Sequence, residues 1–199
     1  MVLGNGPAVI WLDAHIGAEG NNRDMKKLFN DQVSASLELP PINEVDALIC
    51  GYVDDWRAVG APVKATDTVE KAEALIAEFQ DKDVKFICSA TLGRLIIPKL
   101  VKQFPHILSY YIFCGNISLH LDWAMDYIDC LQMFDHEDNL LARLTKDIAI
   151  DFRKHGNHYQ ELNNLERANE CFQHAQTLEE RSNKRVGPHH VRDVNYRDA

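Results

Sequence analysis

Asp13 and His15 close the apolar run 8-AVIWL-12, and they are the first residues in the chain whose types and spacing could do chemistry. A carboxylate and an imidazole at a strand end can begin a metal corner. Two ligands do not complete a tetrahedral set, so a cap beside a solvated imidazole is the plainer use. Ser89 follows Cys88 near the end of a second apolar run, 84-VKFICSA-90, and Gly115 and Asn116 follow Cys114 after a third, 107-ILSYYIFC-114. Either cysteine offers a nucleophile in principle. No histidine base can be placed beside either from the sequence, so both fit buried packing better. His155 and His158 could chelate on one helical turn, but Gly156-Asn157 between them suit an ordinary helix surface. Gly17 and Gly20 are too loosely spaced for a dinucleotide fingerprint and fit a turn. The candidates for a ligand crevice are therefore Asp13, His15, Ser89, Gly115 and Asn116, with no catalytic residue, metal set or cofactor assigned.

The elements that must position these residues alternate. The run 8–12 reads as a strand covered on both faces, because a buried parallel strand is continuously apolar. The segment 22-NRDMKKLFNDQV-33 places Met25, Leu28, Phe29 and Val33 at helical spacing, with an asparagine at its start as a cap. Over 43–59, Val45, Leu48, Ile49, Tyr52, Val53, Trp56 and Val59 lie on one helix face. A short strand at 62–66 precedes a helix over 67–79, opened by Asp67 with Glu70 three residues on, an acid-first capping box. After the strand at 84–90 comes a helix over 91–104 that must tolerate Pro98. The strand at 107–114 leads to a helix over 118–128 capped by Ser118, on which Trp123 shares a face with Leu119, His120 and Tyr127 and packs on the sheet. A weak strand at 131–134 precedes a long polar helix from His136. Five strands alternating with helices predict an α/β fold: a flavodoxin-like, doubly wound five-stranded parallel sheet of order 2-1-3-4-5.

Composition narrows the partners. The 199 residues carry a net charge of -9, which disfavours a nucleic-acid surface built on lysine and arginine. Residues 181–199 hold five basic and two acidic side chains, a small local excess that fits a solvated tail. The five cysteines are widely separated without a CxxC pair, as in a reducing, cytoplasmic setting. No run approaches the eighteen apolar residues of a membrane span, and no export signal opens the chain.

The pattern 9-VIWLDAH-15, followed by a helix and then by 63-VKATDTVEKAEALI-76, resembles the start of a response-regulator receiver domain, over roughly residues 8–145. That family holds magnesium with paired acids after strand one and phosphorylates an aspartate at the end of strand three. Here Ala14 and His15 follow Asp13, and 88-CSA-90 stands at the phosphoacceptor position. Cys114 and Gly115 occupy the place of the family's hydroxyl residue, and no lysine ends strand five. Acyl-phosphate chemistry needs a carboxylate nucleophile, so the resemblance implies a degenerate receiver. The helix at 43–59 is an insertion relative to that family, its stripe buried either in its own domain or against a partner. A neighbouring resemblance is to the TIR fold, some members of which cleave NAD with a glutamate on the helix after strand three. The helix 91–104 contains no acid, and Glu70, Glu73 and Glu78 lie on the previous one.

The segment 149-AIDFRKHGNHYQELNNLERANECFQHAQTLEERS-182 resembles a single tetratricopeptide repeat. With Ala149 first, Gly156, Tyr159, Ala168, Phe172 and Ala175 fall on the alternating small and aromatic positions of that motif. Phe152, His155 and Glu180 replace the usual tryptophan, leucine and proline. A lone unit cannot bury both faces, so it must dock on the first domain, pair with another chain, or begin an array. The resulting organisation is a receiver-like domain over 1–145, a helical hairpin over 146–182 and a polar tail over 183–199. The implied function is a non-catalytic interaction or signalling module, binding a protein partner or its own copy through Tyr52, Trp56, Tyr159 and Phe172. The alternatives are a nucleotide- or NAD-processing enzyme and a small-molecule sensor, both using the crevice near Asp13.

Overall fold

The first strand, β1 (Pro7–Leu12), takes the place that its unbroken apolar run predicts, at the interior of the sheet. The structure is a computed structural model that describes residues 6–13, 44–104, 107 and 109–185. Four more strands follow: β2 (Val63–Thr66), β3 (Asp83–Ser89), β4 (Ser109–Phe113) and β5 (Leu131–Phe134). All pairings are parallel, in the order β2-β1-β3-β4-β5, with Leu12 opposite both Thr66 and Cys88, and Ser89 opposite Phe113. This is the flavodoxin-like α/β sheet.

Side chains alternate across each strand, so the sheet builds two separate cores. On one face Val9, Ala65, Ile87 and Tyr111 meet α1 (Glu44–Ala58) and two C-terminal helices, α5 (Glu137–Glu161) and α6 (Leu165–Arg185). On the other face Ile10, Phe86, Tyr110 and Ile112 meet α2 (Val69–Glu78) and α3 (Ala90–Gln103). That face is completed by a short helix, α4 (Leu121–Ala124), set between 3-10 turns at Ile117–His120 and Met125–Tyr127.

Helix α1 precedes β2 and lies on the sheet, with Tyr52, Val53 and Trp56 in the core of its own domain. The helix expected over 22–33 lies outside the described residues. Helix α2 is capped by Thr68, whose side chain accepts from Lys71 N. Asp67 does not cap the helix; it pairs with Lys71 at 2.8 Å instead. Helix α3 runs through Pro98.

The division expected at 145/146 falls inside α5, one uninterrupted helix of 25 residues. Its first half packs Leu140, Leu141 and Leu144 on the sheet, and Ile148, Ala149 and Phe152 continue the same core into Ala175 and Leu178 of α6. The hairpin is thus docked on the α/β domain. Its turn is made by Asn163, at φ 58 in the left-handed region that asparagine tolerates, and Asn164 Oδ1 accepts from Arg167 N to start α6.

Candidate functional site

Because the strands are parallel, their carboxyl ends collect Asp13, Thr66, Ser89 and the turn Cys114-Gly115-Asn116 along one edge. Asp13, half-buried, donates its backbone N–H to Thr66 O at 2.9 Å. Ser89 is the cap of α3, its Oγ accepting from Leu92 N at 3.4 Å. Asn116 Oδ1 accepts from both the backbone N–H and the hydroxyl of Ser118, at 3.1 and 2.6 Å, so the cap of the following turn is Asn116 and not Ser118. Gly115 is exposed, and a Cβ there would meet no atom within 4 Å. The strand ends bring the described candidates to one edge, while the side-chain oxygens of Ser89 and Asn116 are engaged in helix starts. His15 lies outside the described residues.

The cysteines beside these positions are held as thiols. Burial pushes Cys88 far above the ordinary thiol range and raises Cys114 as well, which suppresses the thiolate that attacks. Among the described residues, no three His, Cys, Asp or Glu side chains are grouped to hold a metal ion. Thr66 Oγ1, buried at the end of β2, has no hydrogen-bond partner among them either.

A second polar cluster, unforeseen from the sequence, lies at the amino end of the sheet on the α5 side. Lys85 of β3 and Asp151 of α5 meet at 2.5 Å with side chains only 4% and 6% exposed. The contact is a charge pair rather than an aligned hydrogen bond, and Lys154 adds a second cation to Asp151 at 3.0 Å. One turn on, His155 Nε2 lies 2.7 Å from Asp83 Oδ2, both largely buried. One turn back, Tyr111 OH donates to Asp147 Oδ2 at 2.7 Å, and Arg143 reaches the same carboxylate at 2.9 Å. Burial, then the Asp147 charge, raises the Tyr111 phenol well above its ordinary value. A lysine inside the run 83-DVKFICS-89 was the available signal, since a buried ammonium requires a partner. Its partner, 66 residues away in sequence, could not be read from the strand (151 against 85).

The residues expected to bind partners separate into two pairs. Tyr52 and Trp56 are buried in the core of α1, and Trp56 Nε1 donates to Thr145 Oγ1 of α5 at 2.8 Å. They are internal packing residues. Phe172 lies against Gly156, where an added Cβ would stand 2.5 Å from its ring. Tyr159 is half-buried, with the Arg167 guanidinium 5.6 Å from its ring centroid. Trp123 is buried as expected, but Leu119 of the same stretch is exposed, because the 3-10 turns break the single helical face.

Comparison with protein families, with curated proteins and with solved structures finds no match. What the coordinates define is a flavodoxin-like α/β fold with a docked helical hairpin. No described helix is long and apolar enough to cross a membrane.

Proposed function

We propose that this chain is a non-catalytic protein-interaction or signalling module: a degenerate receiver-like domain carrying a tetratricopeptide-like hairpin. The observation that carries the reading is the use of the polar side chains at the strand ends. Ser89, at the position of the receiver phosphoacceptor, caps α3, and Asn116 caps the next turn. A group committed to a helix start is poorly placed to attack or to read a phosphoryl group. The hairpin reading is supported by Ala168 and Ala175, both buried, and by the close fit of Phe172 on Gly156, since small residues let paired helices approach. Protein association then takes place on the outer surfaces, either with a partner or with a second copy. The thiols Cys88, Cys114, Cys130 and Cys171 are all free, which supports a reducing, cytoplasmic setting.

Thermal melting with magnesium plus acetyl phosphate, NAD, ATP or flavin, run beside a turnover assay, tests the reading. The expected outcome is an unchanged melting temperature and intact nucleotides. A stabilisation of several degrees that disappears in Asp13→Ala, or hydrolysis of any of these compounds, overturns it.

A further inference from the structure

The connection between β4 and β5 has two unlike sides. Trp123 and Ala124 face the sheet, whereas Leu119, Leu121, Met125 and Ile128 stand 71%, 45%, 58% and 62% exposed. Single exposed apolar residues are normal on a protein surface. Four within ten residues are a concentration, an apolar ridge that runs along α4 and the turns on either side of it. Three exposed carboxylates, Asp122, Asp126 and Asp129, alternate with them. Asp122 meets Arg94 of α3 at 3.6 Å, and no ion pair among the described residues involves Asp126 or Asp129.

The charge decides what can cover this ridge. A symmetric contact between two copies sets a surface against itself, so it would stack the same carboxylates together in a chain already at net charge -9. Anionic lipid headgroups are repelled for the same reason. A helix with apolar residues on one face and lysine or arginine along its margins satisfies both the ridge and its rim. We propose that the surface formed by Leu119, Leu121, Met125 and Ile128 with Asp122, Asp126 and Asp129 docks a basic amphipathic helix from a partner protein. The proposal rests on the interaction-module reading and supplies the partner's chemistry.

The probe is a fluorescent synthetic peptide with leucines at i, i+3, i+4 and i+7 and lysines on the flanks, titrated against the full chain by anisotropy. Met125→Glu combined with Ile128→Glu weakens binding at least tenfold, about 1.4 kcal/mol. Asp126→Lys combined with Asp129→Lys weakens it comparably and flattens its dependence on salt. Leu162→Glu, at the exposed hairpin turn, leaves it unchanged. All substituted positions are exposed, and circular dichroism is the check that each variant is folded. The proposal is overturned by absence of binding, or by equal binding of a peptide with glutamate in place of lysine. Equal loss in Leu162→Glu overturns it too, as does a dimer abolished by Met125→Glu or binding of anionic vesicles. Nucleotide turnover would remove the module reading while leaving this titration interpretable, so the two failures are distinct.

Discussion

The two faces of the sheet solve the same burial problem by different means. On the α2/α3 side the core is nearly all apolar, and where polar atoms intrude, at Tyr110 OH and Trp123 Nε1, they have no hydrogen-bond partner among the described residues. On the α1/α5 side, polar groups enter the core and find one another: Lys85 with Asp151, His155 with Asp83, Tyr111 with Asp147, Trp56 with Thr145. Every one of these pairs joins two different elements. Apolar contact is indifferent to a small slide of a helix along a sheet, whereas a desolvated charge loses its partner if the register moves. The polar face is therefore the one whose geometry is specified, and it is the face on which the hairpin sits.

The sharpest way to break the contrast is Lys85→Met. It strands Asp151 in the core with only the half-exposed Lys154, and the expected loss is about 3–5 kcal/mol in urea unfolding. Adding Asp151→Leu should restore most of it; no recovery would mean that the charge pair was not the cause. Next in size is Gly156→Ala, whose new methyl would collide with the Phe172 ring and cost about 1–3 kcal/mol, relieved by Phe172→Leu. A smaller pair of substitutions compares the faces directly. Trp56→Phe removes a buried donor from Thr145 and should cost about 1 kcal/mol, while Tyr110→Phe deletes a hydroxyl with no hydrogen-bond partner among the described residues and should change stability by less than about 0.5 kcal/mol. Equal losses from the two would erase the distinction.

Alkali supplies the gentlest test. Burial raises both Tyr110 and Tyr111 above the ordinary phenol value of 10.0, and on Tyr111 the Asp147 charge adds to it. A raised pKa in the folded state means that the neutral phenol is favoured there. Stability from this source is complete below pH 10.0 and falls as the pH climbs past it. Urea unfolding followed from neutral pH into that range should show the decline, shallower in Tyr111→Phe. A wild-type profile flat through the same range would contradict the burial of both rings.

The strands and their alternation with helices were legible because they depend on local pattern: 8-AVIWL-12 and 107-ILSYYIFC-114 are apolar for longer than any exposed strand allows, while the order 2-1-3-4-5 rests on its being the usual one for such a chain. Helix ends were less so. Asp67 and Thr68 are both serviceable caps on paper, as are Asn116 and Ser118, and only the start of the helix chooses between them. The carboxyl edge was legible as a set of strand ends, since parallel strands must gather them. The occupation of Ser89 and Asn116 as caps was not, because it depends on where each following helix begins.

Sequence alone determined the alternation of the described strands with helices, the two-sided burial of the strands and the polar character of the strand ends, since each follows from composition within a dozen neighbouring residues. Tertiary structure decided that Tyr52 and Trp56 are interior, that α5 joins the expected hairpin to the sheet without a break, and that Lys85 meets Asp151. Those outcomes require two distant segments to exclude water from the same place, and the energy of a buried charge or ring is a property of that shared volume rather than of either segment.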